Sequence, residues 1–387
     1  MEISKKCLSC DSALFEDHFF KLENMPAGAQ EFDNPSKVDL EVRQCSHCEL
    51  VQLTNEPVHS YKDVIRAVGF SDEMKKFREE QFGNFIKENS LYEKRVLEVG
   101  CGDGEYLRVM RDAGAETYGL ENNPMLARKS RARGLSVYQG YITDKNSRVI
   151  NHPFDAFFTM NFLEHAPNPK QLLEGIRNNL KEGGVGIVEV PNFDMMAATG
   201  HFSEFIGDHL SYFTKSSLTF LLDASGFEVL ECSSIWHDYI ISATVAKRDK
   251  EESSRLAGFT KNKIDFELFE KKKNKDLSSL DKYIRGYEDN SVAVYGAGHQ
   301  SLALIALSGI GPRLKYIVDD APFKQGRKSP ASNVPIVSAN TLREDPAKAI
   351  VVIGASYSDE IVDKLTKSGY NNLNIAVLRQ EGLKIYK

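Results

Sequence analysis

The segment VLEVGCGDGEYLRVMRDAG constrains the fold of this 387-residue chain more than any other part of the sequence. Its pattern predicts a short apolar strand, a glycine turn and an amphipathic helix. Gly100, Gly102 and Gly104 allow the backbone to turn sharply and to approach a ligand with no Cβ in the way. A unit of this kind is typical of a parallel α/β sheet that binds a nucleotide, and a dinucleotide-dependent enzyme is one of the possibilities.

Two details of this segment argue against a dinucleotide. Glu98 lies inside the strand, and the loop has the spacing G-x-G-x-G instead of G-x-G-x-x-G. The next strand, ETYGLE, ends in Glu121, 21 residues beyond Gly100, where a carboxylate can bind both hydroxyls of a ribose. Asn122 and Asn123 follow and are candidates to contact an adenine edge.

Residues 70–248 resemble the class I S-adenosylmethionine-dependent methyltransferases. The E/D-x-G-x-G-x-G loop of that family matches Glu98 to Gly104, and its acidic second strand end matches Glu121. The resemblance implies a Rossmann-like sheet; a dehydrogenase with the same opening is the rival. The residues that the resemblance implies for S-adenosylmethionine binding are Glu98, Gly100, Gly102, Gly104, Glu121, Asn122, Tyr141, Asn161 and Phe162.

Two C-x-x-C pairs lie in the predicted N-terminal module, residues 1–60. Cys7 with Cys10 and Cys45 with Cys48 can together complete the tetrahedral all-thiolate shell of structural zinc. Four sulfur ligands leave no open position, so this Zn²⁺ would stabilise the fold and take no part in catalysis. A redox pair and unliganded thiols are the alternatives.

The C-terminal part of the chain predicts a second, smaller α/β domain. A helical connector is expected over residues 249–290, followed by alternating strands and helices over residues 291–387. Gly296, Gly298 and Asp319 imitate a dinucleotide fingerprint, but Ser301 stands where the third glycine belongs. We expect this domain to bind substrate, with a second dinucleotide site and a pure scaffold as alternatives.

The order of the three regions resembles the zinc-containing nucleotide-sugar C-methyltransferases, which make branched deoxysugars. The E-H-x-P segment of that family is matched by Glu164, His165 and Pro167, and its H-L-S-Y-F segment by residues 209–213. Its V-D-x-x-P-x-K-Q-G-R segment is similar to residues 318–327. The resemblance implies transfer of a methyl group to a carbon of a nucleotide-linked keto sugar.

Three segments depart from the pattern of that family. Its Y-x-E-H reads Ile206 to His209 here, and its G-A-P-A-K-G-N loop reads GAGHQSL. Its aromatic-rich segment after the zinc module keeps only Tyr61 and Phe70. Because these positions should face the substrate, O- or N-methylation of another small polar metabolite is the main alternative, and a non-catalytic binding protein is the third.

Carbon methylation next to a ketone requires a base and a group that stabilises the enolate. A histidine suits the first task. His209 is the predicted base, Asp208 the group that orients it, and His165 an assistant in substrate binding or enolate stabilisation. The alternatives are that His209 caps the helix entering at Thr214 and that His165 is a surface residue.

The predicted substrate-binding residues are Tyr212, Gly296, His299, Lys324 and Arg327, of which the two cations are candidates for a diphosphate.

The charge balance excludes some partners. Lys and Arg number 49 and Asp and Glu 55, a formal net charge of −6, so no overall field attracts nucleic acid or an anionic membrane. No apolar stretch approaches the ~20 residues of a membrane span, and the N-terminus lacks an apolar signal core. We expect a cytoplasmic protein with a small-molecule substrate; the sequence makes no prediction of its oligomeric state.

Overall fold

The computed structural model describes residues 6–28, 30–58, 71–248, 262–354, 357–370 and 373–386. The positions of Tyr61 and Phe70 lie outside these ranges. The chain divides into two compact units. The first unit comprises Met1–His18, Arg43–Met195 and His209–Ile264, and the second comprises Phe19–Val42, Met196–Asp208 and Asp265–Lys387. Both units therefore draw on the predicted module 1–60, because its cysteines lie in the first unit and residues 19–42 in the second.

The strands, numbered along the chain, are β1 (Leu14–Pro26), β2 (Lys37–Cys45), β3 (Val51–Leu53), β4 (Arg95–Val99), β5 (Glu116–Glu121), β6 (Val137–Gln139), β7 (Phe154–Met160), β8 (Leu180–Pro191), β9 (Ser211–Tyr212), β10 (Phe227–Ile235), β11 (Ile240–Lys247), β12 (Val292–Tyr295), β13 (Leu314–Val318), β14 (Ile336–Val337), β15 (Ala349–Val352), β16 (Asn374–Arg379) and β17 (Gly382–Ile385).

The helices are α1 (Asp72–Glu88), α2 (Glu105–Asp112), α3 (Pro124–Ala132), α4 (Pro169–Arg177), α5 (Phe193–Thr199), α6 (Lys215–Ala224), α7 (Phe266–Arg285), α8 (His299–Ser308), α9 (Thr341–Glu344) and α10 (Ser358–Lys367). None of the helices in the described part of the chain is long and apolar enough to cross a membrane.

The main sheet of the first unit has seven strands in the order β10-β11-β8-β7-β4-β5-β6. Strand β11 runs antiparallel to both its neighbours, and the other pairs are parallel. The apolar runs of β4 and β7 are buried, as expected for strands covered on both faces. Because the strand order reverses beside β4, the loops after β4 and β7 diverge and leave a crevice at the carboxyl edge, where α/β proteins bind ligands.

The second unit contains a six-stranded sheet in the order β14-β13-β12-β15-β16-β17, parallel except for the last strand. This confirms the α/β fold class and the second, smaller sheet. A third sheet has the order β1-β2-β3-β9; its strand β2 ends at Cys45, and β3 begins three residues after Cys48.

Helix α1 is fastened to the main sheet by a buried ion pair. Both outer nitrogens of Arg78 bind the carboxylate of Glu189, at 2.7 and 2.6 Å, and neither side chain is more than 1% exposed. Gln81 and Ser242 donate further hydrogen bonds to the same carboxylate, at 2.6 and 3.1 Å. Because every donor points at one buried charge, the pair fixes helix α1 against the end of β8.

We predict that Arg78→Met lowers the free energy of unfolding by about 3–5 kcal/mol, because it leaves the Glu189 charge buried without its counter-ion. The double variant Arg78→Met/Glu189→Met should recover most of that loss. Ser242→Ala, which removes one neutral donor, should cost only about 1 kcal/mol. Urea denaturation followed by circular dichroism measures all three. A double variant less stable than Arg78→Met would contradict this account.

Candidate active site

The glycine loop between β4 and α2 has one open position. Gly100, Gly102 and Gly104 all have positive φ, at 77°, 55° and 82°. A Cβ on Gly100 would lie 2.6 Å from the Phe162 ring, and one on Gly104 2.3 Å from Leu135. A Cβ on Gly102 would meet no protein atom within 4 Å. The outer two glycines are therefore required by packing, and Gly102 leaves backbone accessible to a ligand.

Glu121 fastens this loop to the end of β5. One carboxylate oxygen accepts the N–H of Gly102 at 2.8 Å, and the other accepts the N–H of Asn123 at 2.7 Å. A carboxylate at the end of this strand is the type of acceptor that ribose hydroxyls require. The side chain of Asn123 caps α3 by accepting the N–H groups of Met125 and Leu126. The sequence predicted an adenine contact for Asn123 and did not predict this structural role.

The end of β7 forms the opposite wall of the crevice. Asn161 adopts a left-handed conformation, φ 50°, and donates its N–H to the Glu189 carbonyl at 2.9 Å. The next residue, Phe162, packs against Gly100, and its ring centroid lies 6.0 Å from that of Tyr141. A carboxylate at the end of β5, an open glycine backbone and an aromatic wall therefore line the crevice, and binding of S-adenosylmethionine by these residues stays a prediction. Glu98 is buried within β4 beneath the loop, at 2% exposure.

His165 follows Phe162 by three residues in the chain, and His209 lies against it in space; we call these two residues the histidine pair. Their ring centroids are 4.6 Å apart in an edge-to-face arrangement. His165 is 3% exposed, so it is not the surface residue of the alternative interpretation, and His209 is half-buried. Glu164 is 1% exposed, and one of its carboxylate oxygens lies 3.9 Å from Nε2 of His165. The sequence predicted both histidines but not Glu164 as a site residue.

Backbone hydrogen bonds explain why residues 44 positions apart in the chain meet here. The N–H of Leu210 donates to the Glu164 carbonyl at 2.8 Å, and the N–H of Leu53 donates to the Leu210 carbonyl at 3.0 Å. Strand β9 then pairs with β3. Thr214, not His209, caps helix α6, by accepting the N–H of Ser217 at 3.1 Å. The capping alternative for His209 is therefore wrong.

Two other predicted residues near the histidine pair have different surroundings. Tyr212 is 3% exposed; its ring centroid lies 5.8 Å from that of Phe193 and 6.3 Å from that of His209. Asp208 is assigned to the second unit, where its charge contributes to a raised pKa of His299. Its predicted role in orienting His209 stays a prediction.

The four cysteines of the two C-x-x-C pairs converge. Their sulfurs lie within 4.8 Å of one another, with Cys7 and Cys48 3.4 Å apart and Cys10 and Cys45 3.6 Å apart. A tetrahedral site with Zn–S bonds of about 2.3 Å needs S···S separations of about 3.8 Å. The N–H groups of Ser9 and His47 donate to Cys7 and Cys45, at 3.3 and 3.4 Å. These bonds favour thiolate, and the four-cysteine cluster fits a zinc ion.

In the second unit, His299 begins α8 and pairs with Glu204. Its Nε2 lies 2.7 Å from one carboxylate oxygen, and Gln300 donates to the other. Burial alone would raise the pKa of Glu204, but the charge of His299 and its hydrogen bond lower it to about 2. Burial likewise opposes protonation of His299, yet the charge of Glu204 raises its pKa above the usual value. This pair holds the 3-10 turn Phe202–Glu204 against the helix.

The remaining predicted residues of the second unit also have protein partners. Lys324 is 4% exposed and donates to Asp319 at 3.2 Å and to the Ala297 carbonyl at 3.1 Å. Arg327 forms an ion pair with Asp33 at 2.9 Å. Gly296 packs so closely that a Cβ would lie 2.4 Å from the Ile353 carbonyl oxygen. Diphosphate binding by the two cations stays a prediction.

The seven-stranded sheet with its antiparallel β11, and the site at its carboxyl edge, define a class I S-adenosylmethionine-dependent methyltransferase. Residues 74–232 match the family described as methyltransferase domain, and residues 240–375 match the C-methyltransferase C-terminal domain. The chain thus carries an S-adenosylmethionine-dependent methyltransferase domain followed by a C-methyltransferase C-terminal domain.

Relatives by sequence include C-methyltransferase NovU of Streptomyces niveus, 24% identical over 69% of this chain and 68% of the relative. A ubiquinone biosynthesis O-methyltransferase of Haemophilus ducreyi is 32% identical over 30% of this chain, and the match spans about half, 53%, of that relative. Among solved structures, the PH0226 protein from Pyrococcus horikoshii is 15% identical, with a TM-score of 0.40 over 49% of this chain and 100% of its own.

We predict that Gly104→Ala weakens S-adenosylmethionine binding by roughly 10-fold or more, because a strained φ costs about 1–3 kcal/mol and the Cβ collides with Leu135. Gly134→Ala is the matched control: it has a similar φ of 77°, but a Cβ there meets no atom within 4 Å. Isothermal titration calorimetry measures both affinities. Equal affinities in the two variants would show that the loop does not bind the cofactor.

The ion pair of His299 predicts a pH-dependent stability. A histidine with a raised pKa stabilises the fold fully below its unfolded pKa of about 6.5 and loses that contribution as pH rises through the folded pKa. His299→Gln should therefore lower stability by about 1–2 kcal/mol at pH 6 and by less at pH 9. Gln300→Ala removes a neutral donor from the same carboxylate, so its effect should not change between these pH values. Calorimetric melting at both pH values provides the test, and a pH-independent effect of His299→Gln would contradict it.

Proposed function

We propose that this enzyme transfers a methyl group to a carbon next to the ketone of a nucleotide-linked deoxysugar. The observation that carries the proposal is the histidine pair, which directly follows the aromatic wall of the cofactor crevice. A base beside the methyl donor is what a carbon acceptor requires, because that carbon must lose a proton before it becomes a nucleophile.

His209 is the proposed base. Its ring is half-buried and packs edge-to-face against the buried His165, and a histidine exchanges protons near neutral pH. It accepts the proton from the acceptor carbon, and the electrons of the broken C–H bond form the enolate. His165, buried against His209, donates an N–H to the enolate oxygen or to a neighbouring substrate group.

S-adenosylmethionine supplies, when bound, an electrophilic methyl group on a sulfonium. The chain would hold the reactants in place: Glu121 and the backbone at Gly102 would bind the nucleoside, and Phe162, which packs against Gly100, would contact the cofactor. Such positioning is worth about 7–11 kcal/mol of the barrier for a well-aligned reaction.

The four-cysteine cluster is proposed to hold a structural Zn²⁺. All four ligand positions are then occupied by sulfur, so the ion offers no site to substrate. The cluster lies on the chain segments that lead into β3, and β3 pairs with β9 next to His209. Zinc would in this way support the position of the base from outside the crevice.

The nucleotide-sugar assignment rests on the sequence pattern of residues 318–327 and on the C-methyltransferase match over residues 240–375. Arg327, whose side chain is 42% exposed, is the better candidate for a diphosphate, because it can exchange Asp33 for a ligand at small cost. Lys324 is buried with Asp319, and its proposed task is to hold the loop after β13.

Methylation of oxygen or nitrogen is the alternative that one observation favours. Ile206 occupies the position of a tyrosine in the sugar C-methyltransferase pattern, and it is 1% exposed. An apolar buried residue cannot supply the hydroxyl group of a tyrosine, so the acceptor contacts must differ from those of the pattern.

Donor-free proton exchange separates these reactions. In heavy water with a keto nucleotide sugar and no S-adenosylmethionine, the wild-type enzyme should introduce deuterium at the carbon next to the ketone, measured by mass spectrometry. His209→Asn should slow this exchange by roughly 10²–10⁴-fold, the usual contribution of a general base. Gly104→Ala, which acts on the cofactor side, should leave the exchange unchanged.

Methyl transfer without any such exchange would show that the acceptor is oxygen or nitrogen. Absence of both exchange and transfer across a panel of nucleotide-linked keto sugars would reject the substrate class.

A further inference from the structure

The side chains around the histidine pair offer a set of ligand atoms that base catalysis does not require. One carboxylate oxygen of Glu164 and one ring nitrogen each of His165 and His209 all lie within 4.8 Å of one another. Glu164 and His165 are buried, and only His209 is half-buried. A convergence of two imidazoles and one carboxylate is the donor set of divalent transition-metal sites.

The geometry is held by the backbone and does not depend on flexible surface side chains. Glu164 and His165 share one 3-10 turn, and the Leu210 N–H to Glu164 carbonyl bond at 2.8 Å fixes the residue next to His209. Two of the three ligands are therefore adjacent in the chain, and the third is fixed against them. Metal binding would therefore require little rearrangement of these side chains.

We propose that Glu164, His165 and His209 bind a divalent transition-metal ion, distinct from the zinc proposed for the four-cysteine cluster. Imidazole donors favour Zn²⁺, Ni²⁺, Co²⁺ or Fe²⁺ over Mg²⁺ and Ca²⁺, which prefer oxygen ligands. Three protein ligands leave at least one coordination position open, unlike the closed shell of four cysteines. Because His209 is half-buried, the metal ion can reach the site from solvent at this ligand.

Metal binding at this site has a consequence that rests on the proposed function. The lone pair with which His209 would accept the substrate proton is the lone pair that would bind the ion. Metal occupancy and general-base action at this nitrogen are therefore mutually exclusive. Added Zn²⁺ should inhibit the donor-free exchange reaction, and a chelator too weak to remove zinc from four thiolates should restore it.

Zinc counting tests the binding itself. The full-length protein is incubated with excess Zn²⁺, freed of weakly held metal by gel filtration, and analysed by inductively coupled plasma mass spectrometry. We expect two zinc ions per chain for the wild type and one for His209→Gln. In the zinc-loaded, chelator-treated protein, added Co²⁺ should give d–d absorption without the thiolate-to-cobalt charge-transfer band of a cysteine site.

Matched variants make the result specific. His237→Asn removes an exposed histidine that also has a glutamate beside it, Glu73 at 3.4 Å, and should still bind two ions. Calorimetric Co²⁺ titration should show at least ~100-fold weaker binding for His209→Gln, more than the loss of an outer-shell partner. If His209→Gln fails to fold, His165→Gln and Glu164→Gln provide the same comparison, with melting temperature as the check on folding.

One zinc ion in the wild type, or two in a folded His209→Gln variant, would overturn the proposal. These counts do not involve methyl transfer, so they remain decisive even if the proposed reaction is wrong. Conversely, two ions in the wild type, with no deuterium exchange in protein from which the weak chelator has removed only the second ion, would reject the reaction and leave the metal site standing.

Discussion

The candidate active site depends on a short run of backbone hydrogen bonds. Leu53 donates to Leu210, and Leu210 donates to Glu164, so the strand that follows the four-cysteine cluster is tied to the turn that follows β7. The donors and acceptors of these bonds are main-chain groups, and the pairing of β3 with β9 sets their positions. These bonds hold Leu210, and with it the neighbouring half-buried His209, beside His165.

One buried and one partly buried ion pair each fix a helix within its own unit. In the first, Arg78 and Glu189 fasten helix α1 to the end of β8 with both side chains withdrawn from water. In the second, His299 and Glu204 fasten a 3-10 turn to the start of α8. Neither pair is a large net source of stability, since desolvation offsets the attraction between charges. Each pair instead raises the free energy of alternative arrangements of the two elements it joins, because a displaced partner leaves a charge without its counter-ion.

The two Rossmann-like sheets use the same device at their first loop and differ in what surrounds it. Glu121 accepts the N–H of Gly102, and Asp319 accepts the N–H of Ala297, each from the end of the neighbouring strand. In the second sheet the ammonium of Lys324 also binds Asp319 and the Ala297 carbonyl, so the protein itself satisfies the polar groups that a nucleotide would use. Both loops have open space at their second glycine, Gly102 in the first and Gly298 in the second, so they differ in the buried ammonium of Lys324 and not in open space.

The sequence by itself determined the α/β class, the two sheets, the glycine loop with Glu121, and the two C-x-x-C pairs. These features are local, because strand periodicity, the positive φ of a glycine loop and a two-residue cysteine spacing each depend on residues close together in the chain. The tertiary structure alone decided which distant residues share a site. Glu164 joined the histidine pair, Thr214 became the cap of α6, and Lys324 was committed to Asp319, because long-range backbone pairing and burial bring together groups that no spacing in the chain connects. The division into two units that share the N-terminal 60 residues has the same origin, since a strand such as β1 can begin in one unit and end in the other.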